Sequence, residues 1–322
     1  MGIRYLNQYL KEHCPTSIEC VSLAKLSGKK IVVDTSIYLY KYETEDMLLE
    51  NMYVLLSILR YYNIIAVFIF DGKPPIEKKP VLIQRINDRK LAQVEYQKLE
   101  AKLNMVEEED KRDIIDSMDQ LKRKFVHLTK EKIGKVKELI TCFGSSYYDA
   151  PGEADELCAL LMHTKTVWAC LSEDMDMFVY GCERVLRYFS LMNHTVVLYN
   201  MKGILHELKL SQTEFRDICV LSGTDYNPTN ASLFQIITYF KKYRADPQKC
   251  ELPFYLWLKR NVDIQLKIEI DVESFIKISK MFDLKTRGQD KIIDSAKIKI
   301  VNTPIQYKGL ADILKSDGFI FV

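Results

Sequence analysis

The sequence lacks the cysteine and histidine patterns that bind zinc or build a disulfide framework. Its eight cysteines are scattered along 322 residues without a C-x-x-C pair, and its five histidines form no H-E-x-x-H motif. Several cysteines lie within apolar stretches, which is typical of buried thiols in a reducing compartment. A zinc enzyme and a disulfide-rich secreted domain are therefore both disfavoured.

Long apolar runs are also missing. No apolar stretch approaches the roughly 18 residues that a membrane-spanning helix needs, and the sequence does not open with the hydrophobic segment of a signal peptide. Hydrophobic residues make up 48% and charged residues 28% of the chain, which are ordinary values for a globular domain. We therefore expect an intracellular, soluble protein with no membrane partner.

The formal net charge is only +2, but the charge is unevenly distributed. Between Lys73 and Lys137, 17 Lys and Arg residues accompany 12 Asp and Glu residues, so this segment carries +5 and the remainder −3. This pattern is expected if the segment handles a polyanion while the body holds metal ligands. A solvated helical hairpin with ordinary surface charges explains the same counts equally well.

Short apolar strands alternate with helical segments, which predicts an α/β fold with a mostly parallel central sheet. The predicted strands are "KKIVVDTS", "IIAVFIFDGKPP" and "TVWACLS", followed by a hairpin of "RVLRYFS" and "TVVLYN". We predict helices over about 46–62, over a charged region of about 81–142 broken near "NMVEEEDKRD", in "YYDAPGEADELCALLMH" and in "SQTEFRDICVLSG", which has a capping box.

Acidic residues follow three of the predicted strands. Asp34 follows "KIVV", Asp71 follows "AVFIF", and Glu173, Asp174 and Asp176 follow "VWACL". Parallel sheets place ligand sites at the carboxyl ends of their strands. Carboxylates this close repel one another unless water solvates them or a cation lies between them.

Three more acids extend this pattern, since Glu153 and Asp155 open the helix before the third strand and Asp225 follows a later helix. A single acid after a strand is more often a turn former or a helix cap. A convergent set without His or Cys instead selects a hard cation, Mg²⁺ or Mn²⁺. Two such ions side by side stabilise the attacking and leaving oxygens of a phosphoryl displacement.

Six motifs occur in the order and approximate spacing of one known family: "MGIRYLNQYL", "VVDTSIYLY", "FIFDGKPP", "YYDAPGEADE", "LSEDMDMFVYG" and "LSGTDYN". Over roughly residues 1–226 the sequence resembles the flap endonuclease/XPG family of structure-specific 5′ nucleases. The resemblance implies a PIN-like 5′-nuclease fold with a helical arch insertion and a helical C-terminal part. It divides the chain into a nuclease region at 1–75 and 141–226, an arch at 76–140 and a region of unknown role at 227–322.

The resemblance also implies the chemistry. Two Mg²⁺ ions, replaceable by Mn²⁺, would activate a water that cuts DNA at 5′ flaps or 5′ ends during replication, repair or recombination. Glu173 matches a family position outside the metal shell. The family's metal-binding acids fall on Asp34, Asp71, Glu153, Asp155, Asp174, Asp176 and Asp225.

Basic residues follow the "DGKPP" turn at helical spacing. Lys78, Arg85 and Arg89 fall at i, i+7 and i+11, on one face of a predicted helix. In the family a catalytic Lys and Arg lie at the base of the arch, and Lys78 and Arg85 match their spacing; Arg89 is expected to contact substrate. Such cations stabilise charge on a phosphate in the transition state. The alternative is the basic face of a solvated helix.

Two further substrate contacts are implied by the resemblance. Tyr40 lies where the family has an aromatic that stacks on a base near the cut, although it is one of 19 tyrosines and could equally be a core or surface residue. Gly2 matches the family's N-terminal glycine, which packs close to the substrate once Met1 is removed.

The sequence departs from the family after "GTDY". The family's glycine-rich turn, which grips duplex phosphates and often a potassium ion, is replaced by "NPTNASLFQIITYFKKY", with no glycine from Tyr226 to Tyr243. The glutamine-plus-aromatic motif for the sliding clamp is also missing from "LADILKSDGFIFV". We expect a monomer that acts on DNA in the nucleus or another intracellular site of DNA replication, with the cytoplasm as the alternative location. A catalytically silent nucleic-acid scaffold and an RNase remain as alternatives.

Overall fold

The computed structural model describes residues 3–103, 108–227, 231–247, 252–262, 271–284, 298–316 and 318. Its strands form one sheet in the order β1-β7-β6-β5-β2-β3-β4. Strands β4, β3, β2, β5 and β6 run parallel, and β7 is antiparallel to β6 and β1. The predicted mostly parallel sheet and hairpin are confirmed. The bounds are β1 Ile18–Ser22, β2 Lys30–Asp34, β3 Ile65–Phe70, β4 Ser146–Asp149, β5 Ala169–Leu171, β6 Arg184–Ser190 and β7 Thr195–Asn200.

Helices cover both faces of this sheet, so the fold is the predicted α/β class. Their bounds are α1 Leu6–His13, α2 Thr35–Thr44, α3 Leu48–Tyr61, α4 Lys79–Leu103, α5 Glu108–Phe125, α6 Lys130–Cys142, α7 Ala154–His163, α8 Asp176–Val179, α9 Met201–Leu208, α10 Gln212–Leu221, α11 Leu233–Ala245, α12 Phe254–Val262, α13 Val272–Met281 and α14 Tyr307–Ser316. In the described part of the chain, no helix has the length and apolar character needed to cross a membrane.

The central strand β2 shows why the strands are continuously apolar. Successive side chains of a strand point to opposite faces, so Ile31 and Val33 enter the core formed with α2, α3 and α6. Val32 enters the opposite core, which α7 and α10 close. All three residues are fully buried because helices cover both faces of the sheet.

The helix predicted over about 46–62 is confirmed as α3, but the sequence analysis missed the additional helix α2, which begins directly after β2. One local prediction was wrong. Residues Tyr147–Asp149, assigned to the start of a helical segment, instead belong to the edge strand β4. This strand forms because its backbone pairs in parallel with β3, a contact between distant segments of the chain. Four residues are too few to show the alternating pattern by which a strand is predicted from sequence.

The charged insertion consists of α4 and α5, which pack together with the rings of Tyr96 and Phe125 5.2 Å apart. The predicted break falls on residues 104–107, which lie outside the described residues. Lys78 does not lie in the helix as predicted, because a short 3₁₀ turn, Ile76–Lys78, precedes α4. Pro80 explains this start, since proline lacks an amide hydrogen and is best accommodated in the first turn of a helix.

The C-terminal helices pack onto the helices that cover the sheet. Helices α12 and α13 contact α10, and Leu310 and Leu314 of α14 enter the core beside α6. Gly144 has a φ of 74°, and a Cβ there would lie 2.1 Å from the carbonyl oxygen of Thr303. The segment before α14 is therefore held closely against the end of α6.

Candidate active site

The acids that follow the strands meet at one edge of the sheet. Asp34 is the last residue of β2, Asp71 follows β3, and Asp174 and Asp176 follow β5. Strand β2 lies between β3 and β5 in the sheet. The carboxyl ends of these three parallel strands are adjacent, and the structure brings the four acids together as the sequence indicates.

The turn after β3 is bonded to the start of α7. The Gly72 amide donates to the Gly152 carbonyl at 2.7 Å, and Asp71 Oδ1 accepts the Ala154 amide at 2.8 Å. Glu153 is the N-cap residue of α7, and Asp155 lies in its first turn. These bonds bring Glu153 and Asp155 to the acids at the strand ends.

For the DNA cleavage that the sequence resemblance implies, we expect Gly72→Ala to lower the rate by about 10²-fold, the loss that a displacement of roughly 1 Å can cause at a reacting centre. A Cβ at Gly72 would lie 1.9 Å from the Ala150 carbonyl oxygen, so the two turns must separate and move Asp71 away from Glu153. Single-turnover cleavage measures the effect. Gly134→Ala in α6 is the control, because a Cβ there meets nothing within 4 Å; equal rates for both variants would contradict the geometry.

Ser172 connects the acids and was missed by the sequence reasoning. It is fully buried, and its Oγ donates to Asp34 Oδ2 at 2.8 Å while it accepts the Asp174 amide at 3.1 Å. Asp174 Oδ1 in turn accepts the Asp176 amide at 3.0 Å. The sequence feature that could have identified Ser172 is its position between a buried strand and three acids.

Lys78 and Arg85 reach the acids from the base of α4. Lys78 Nζ lies 2.6 Å from Glu153 Oε1 and 3.9 Å from Asp225 Oδ2, and the Lys78 side chain is buried. Arg85 Nη2 lies 2.6 Å from Asp225 Oδ2 and is partly exposed. The two basic residues predicted to be catalytic, Lys78 and Arg85, are therefore paired with acids of the cluster.

Tyr226 is a second residue that the sequence reasoning passed over. Its hydroxyl donates to Glu153 Oε2 at 2.5 Å, and its ring centroid lies 4.7 Å from Lys78 Nζ. A cation over an aromatic face is stabilised by the ring's quadrupole. Tyr226 thus fixes both partners of the Lys78–Glu153 pair.

Three of the acids, Asp34, Asp155 and Asp176, have raised pKa values. Burial, and then the charge of Asp71, raises the pKa of Asp34 to about 7. Burial and neighbouring carboxylates also raise the pKa values of Asp155 and Asp176 well above their usual range. For Lys78, burial lowers the pKa, but Glu153, Asp155 and Asp176 outweigh it and the net direction is upward.

We expect the protein in EDTA to lose stability as the pH rises from about 4 to about 7. Because the pKa of Asp34 is higher in the folded state than in the unfolded chain, the folded state binds the extra proton in this window and loses that stabilisation when it deprotonates. Thermal unfolding of the protein and of Asp34→Asn across this range tests it. The variant should have a flatter profile; identical profiles would show that Asp34 does not titrate in this way.

The remaining residues singled out from the sequence form no hydrogen bond or ion pair with the acids of the cluster in the described part of the chain. Tyr40 is 45% exposed on α2, and Arg89 is half-buried one turn beyond Arg85 on α4. Gly2 lies outside the described residues. The Glu173 carboxylate forms an ion pair outside the cluster, because its Oε2 lies 3.4 Å from Arg187 Nε.

The donor set fits divalent ions that prefer oxygen ligands. The charges of the predicted acids act on the carboxyls of Asp34, Asp155 and Asp176, and Asp176 Oδ1 is buried without a hydrogen-bond partner among the described residues. As arranged among the described residues, no three acidic, His or Cys side chains close around one point to hold an ion. Lys78 and Arg85 instead neutralise Glu153 and Asp225, so these pairs must open for all seven acids to face an ion.

Comparisons with known proteins agree with this arrangement. Residues 1–92 match the XPG N-terminal domain and residues 144–225 match the XPG I-region. Flap endonuclease 1 of Aedes aegypti is 29% identical over 245 residues, covering 70% of this chain and 62% of the relative. The chain thus spans about 62% of that relative's length.

Solved structures share the fold. The catalytic core of Rad2 in complex with DNA substrate has a TM-score of 0.68 at 20% identity, covering 98% of this chain and 95% of that one. The Holliday junction-resolving enzyme GEN1, in complex with product DNA and a Mg²⁺ ion, has a TM-score of 0.60 at 17% identity over 97% and 72% of the two chains. The XPG N-terminal domain and the XPG I-region together match more than half of the chain, which therefore belongs to the flap endonuclease/XPG family.

Proposed function

We propose that the protein is a Mg²⁺-dependent, structure-specific 5′ nuclease that hydrolyses phosphodiester bonds of DNA at 5′ flaps or 5′ ends. The observation that carries this proposal is the convergence of seven carboxylates with Lys78 and Arg85 in one cluster. The curated relative is named a flap endonuclease, and structural neighbours are complexes with DNA.

The proposed roles follow from the contacts. Asp34, Asp71, Glu153, Asp155, Asp174, Asp176 and Asp225 would hold two Mg²⁺ or Mn²⁺ ions, which supply charge stabilisation and an activated water when bound. Lys78 and Arg85 exchange their carboxylate partners for the scissile phosphate as substrate enters. Charge that develops on that phosphate is then met by cations already positioned at the arch base.

The two alternative functions, a catalytically silent scaffold and an RNase, make different demands on the acids and on the substrate contacts. A catalytically silent scaffold would tolerate loss of acids, yet all seven are present and clustered. An RNase could use the same carboxylates, and the exposed ring of Tyr40 could stack on either type of base.

A digest of matched oligonucleotides tests the proposal. The substrates are a 5′-flap DNA, a blunt duplex, a single-stranded DNA and the equivalent RNA, each with Mg²⁺, Ca²⁺ or EDTA. We expect cleavage of DNA with a free 5′ strand in Mg²⁺ only. Preference for RNA would establish the RNase instead, and no cleavage of any substrate would establish the scaffold.

The grip on duplex is expected to be weak. Residues 228–230 of the "NPTNAS" loop lie outside the described residues, and the helix that follows is α11. Without glycine, backbone amides approach phosphates less closely. Arg244 at the end of α11 already pairs with Glu214 at 2.9 Å, which leaves Lys241 and Lys242 as the candidates for contact.

We therefore expect affinity to rise only slightly when the duplex arm behind a fixed flap is lengthened, and exonuclease action to be prominent. The salt dependence should be shallow, because each neutralised phosphate contributes about 0.9 to the log–log slope. Fluorescence anisotropy on a series of arm lengths measures both. A strong gain with arm length would show that side chains of α11 replace the missing glycine turn.

We propose action in the nucleus or another site of DNA replication, as a monomer.

A further inference from the structure

Helix α13 lies in the part of the chain to which the sequence assigns no role, and it approaches the active site at two points. It runs over Val272–Met281, and Phe282 is the residue at its C-terminal cap. Phe282 packs beside two tyrosines next to the acid cluster, while Lys277 pairs with the turn that carries Lys78. No residue of α13 is among the proposed metal-binding or catalytic residues, so its contribution must come through other side chains.

Phe282 is fully buried between two tyrosines that lie beside proposed metal-binding acids. Its ring centroid is 4.8 Å from that of Tyr180 and 5.4 Å from that of Tyr226. Tyr180 follows the short helix α8, which begins at Asp176. Tyr226 directly follows Asp225. Side chains in a close-packed interior leave few voids, so Phe282 restricts the positions that both rings can take.

Tyr226 connects Phe282 to Lys78. The Tyr226 hydroxyl donates to Glu153 Oε2 at 2.5 Å, and the Tyr226 ring centroid lies 4.7 Å from Lys78 Nζ. Lys78 Nζ itself lies 2.6 Å from Glu153 Oε1. The ring that Phe282 supports therefore contacts the Lys78 ammonium and the carboxylate that pairs with it. A shift of this ring must move the ammonium or break one of the two contacts.

A second contact from α13 reaches the Lys78 turn directly. Lys277 Nζ lies 3.1 Å from Glu77 Oε1, and Glu77 precedes Lys78 in the 3₁₀ turn Ile76–Lys78. The Lys277 side chain is 66% exposed, and an exposed ion pair contributes little stability. Its significance is its position, because the same helix then contacts both the Lys78 turn and, through Phe282, the ring over which the Lys78 ammonium lies.

We propose that α13 positions Lys78 for its contact with the scissile phosphate. Phe282 acts by restricting the Tyr226 ring. Lys277 acts by holding the turn that carries Lys78, and both are positioning residues because they act through other side chains. This inference rests on the proposed nuclease function, since the position of Lys78 affects a rate only if Lys78 acts on a phosphate.

Single-turnover cleavage of a 5′-flap DNA at saturating Mg²⁺ and enzyme tests the role of Phe282. We expect Phe282→Leu to lower the rate by about tenfold, less than the roughly 10²-fold that a full displacement of about 1 Å can cause. Phe275→Leu is the matched control and should leave the rate nearly unchanged. Phe275 is a buried ring of the same helix, but its aromatic neighbour is Tyr255 of α12, at 4.9 Å. Thermal unfolding should show similar stabilities for the two variants.

Charge reversal tests the contact between Lys277 and Glu77. Lys277→Glu should lower the same rate by about threefold, the order expected for an exposed ion pair. Adding Glu77→Lys should restore most of that rate. Lys280→Glu is the control, because Lys280 is an exposed lysine of the same helix, and it should leave the rate unchanged. Equal rates for the two lysine variants would contradict the role of Lys277.

A double-mutant cycle separates the positioning of Lys78 from a general loss of packing. In the Lys78→Ala background, Phe282→Leu should cause little further loss of rate, because its effect depends on the side chain that is missing. Affinity for the 5′-flap DNA in EDTA, measured by fluorescence anisotropy, should be the same for Phe282→Leu and Phe275→Leu. The substitution at Phe282 should thus slow the chemical step without weakening substrate binding.

The proposal fails if Phe282→Leu and Phe275→Leu cleave at equal rates, or if Phe282→Leu causes the same loss with and without Lys78. The second result would show that Phe282 supports Asp176 and Asp225 instead of Lys78. If the unaltered protein cleaves no DNA, the nuclease proposal fails and this inference fails with it. If the unaltered protein cleaves DNA and the variants match their controls, this inference alone fails.

Discussion

Asp176→Asn is expected to lower single-turnover cleavage of a 5′-flap DNA by on the order of 10³-fold, the upper end of the range for removing one preorganised charge. Asp176 is 2% exposed, and its Oδ1 has no hydrogen-bond partner among the described residues. It is therefore available to a cation. The amide keeps the shape of the side chain but removes its charge.

The same variant should fold at least as stably as the unaltered protein in EDTA. Burial and the neighbouring carboxylates raise the pKa of Asp176, so removing this charge relieves repulsion. Asp217→Asn is the matched control, because Asp217 is a half-buried acid outside the cluster whose pKa is raised to about 6, first by burial. Near-normal cleavage by Asp176→Asn would contradict its assignment as a ligand.

Lys78→Ala is expected to slow the chemical step by roughly 10²–10³-fold while strengthening Mg²⁺ binding several-fold. The first effect follows from losing a cation positioned for the transition state. The second follows from the pairs with Glu153 and Asp225, because Lys78 competes with a metal ion for these carboxylates. Single-turnover rates at saturating Mg²⁺ separate chemistry from metal affinity.

Lys79→Ala is the control for this experiment, since Lys79 is the adjacent exposed lysine at the start of α4. DNA affinity should change little in either variant, because one phosphate contact is a small part of the total. If Lys78→Ala weakened only DNA binding, Lys78 would be an ordinary phosphate contact. If Mg²⁺ affinity fell instead, Lys78 would organise the acids rather than compete for them.

The sequence predicts the sheet and the position of the acids because both depend on short-range patterns. Val32 and its neighbours form an apolar run that only a strand covered on both faces would contain, and Asp34 ends it. Parallel strands then place Asp34, Asp71 and Asp174 at one edge. The prediction that Glu153 lies near these acids rested on a different signal, the acidic residues at the start of α7.

The features that were missed depend on contacts between distant segments. Ser172 and Tyr226 act through hydrogen bonds to Asp34 and Glu153, residues 138 and 73 positions away. No local pattern distinguishes Tyr226 from the other tyrosines, and the one local signal for Ser172 is its position between a buried strand and three acids. The sequence analysis placed Lys78 in a helix because Lys78 and Arg85 are seven residues apart, a helical spacing. This spacing alone does not show that Lys78 lies in a 3₁₀ turn just before α4.

The central claim is that the carboxylate cluster acts through divalent ions to cut DNA at a 5′ end or junction. The most direct test is the Mg²⁺ dependence of single-turnover cleavage of an end-labelled 5′-flap DNA, with product sizes resolved at each concentration. The account predicts no product in EDTA, a rate that rises with Mg²⁺ to saturation, and cuts at the junction or stepwise from the 5′ end. Equal cleavage in EDTA and Mg²⁺, or cuts spread along the duplex, would contradict it.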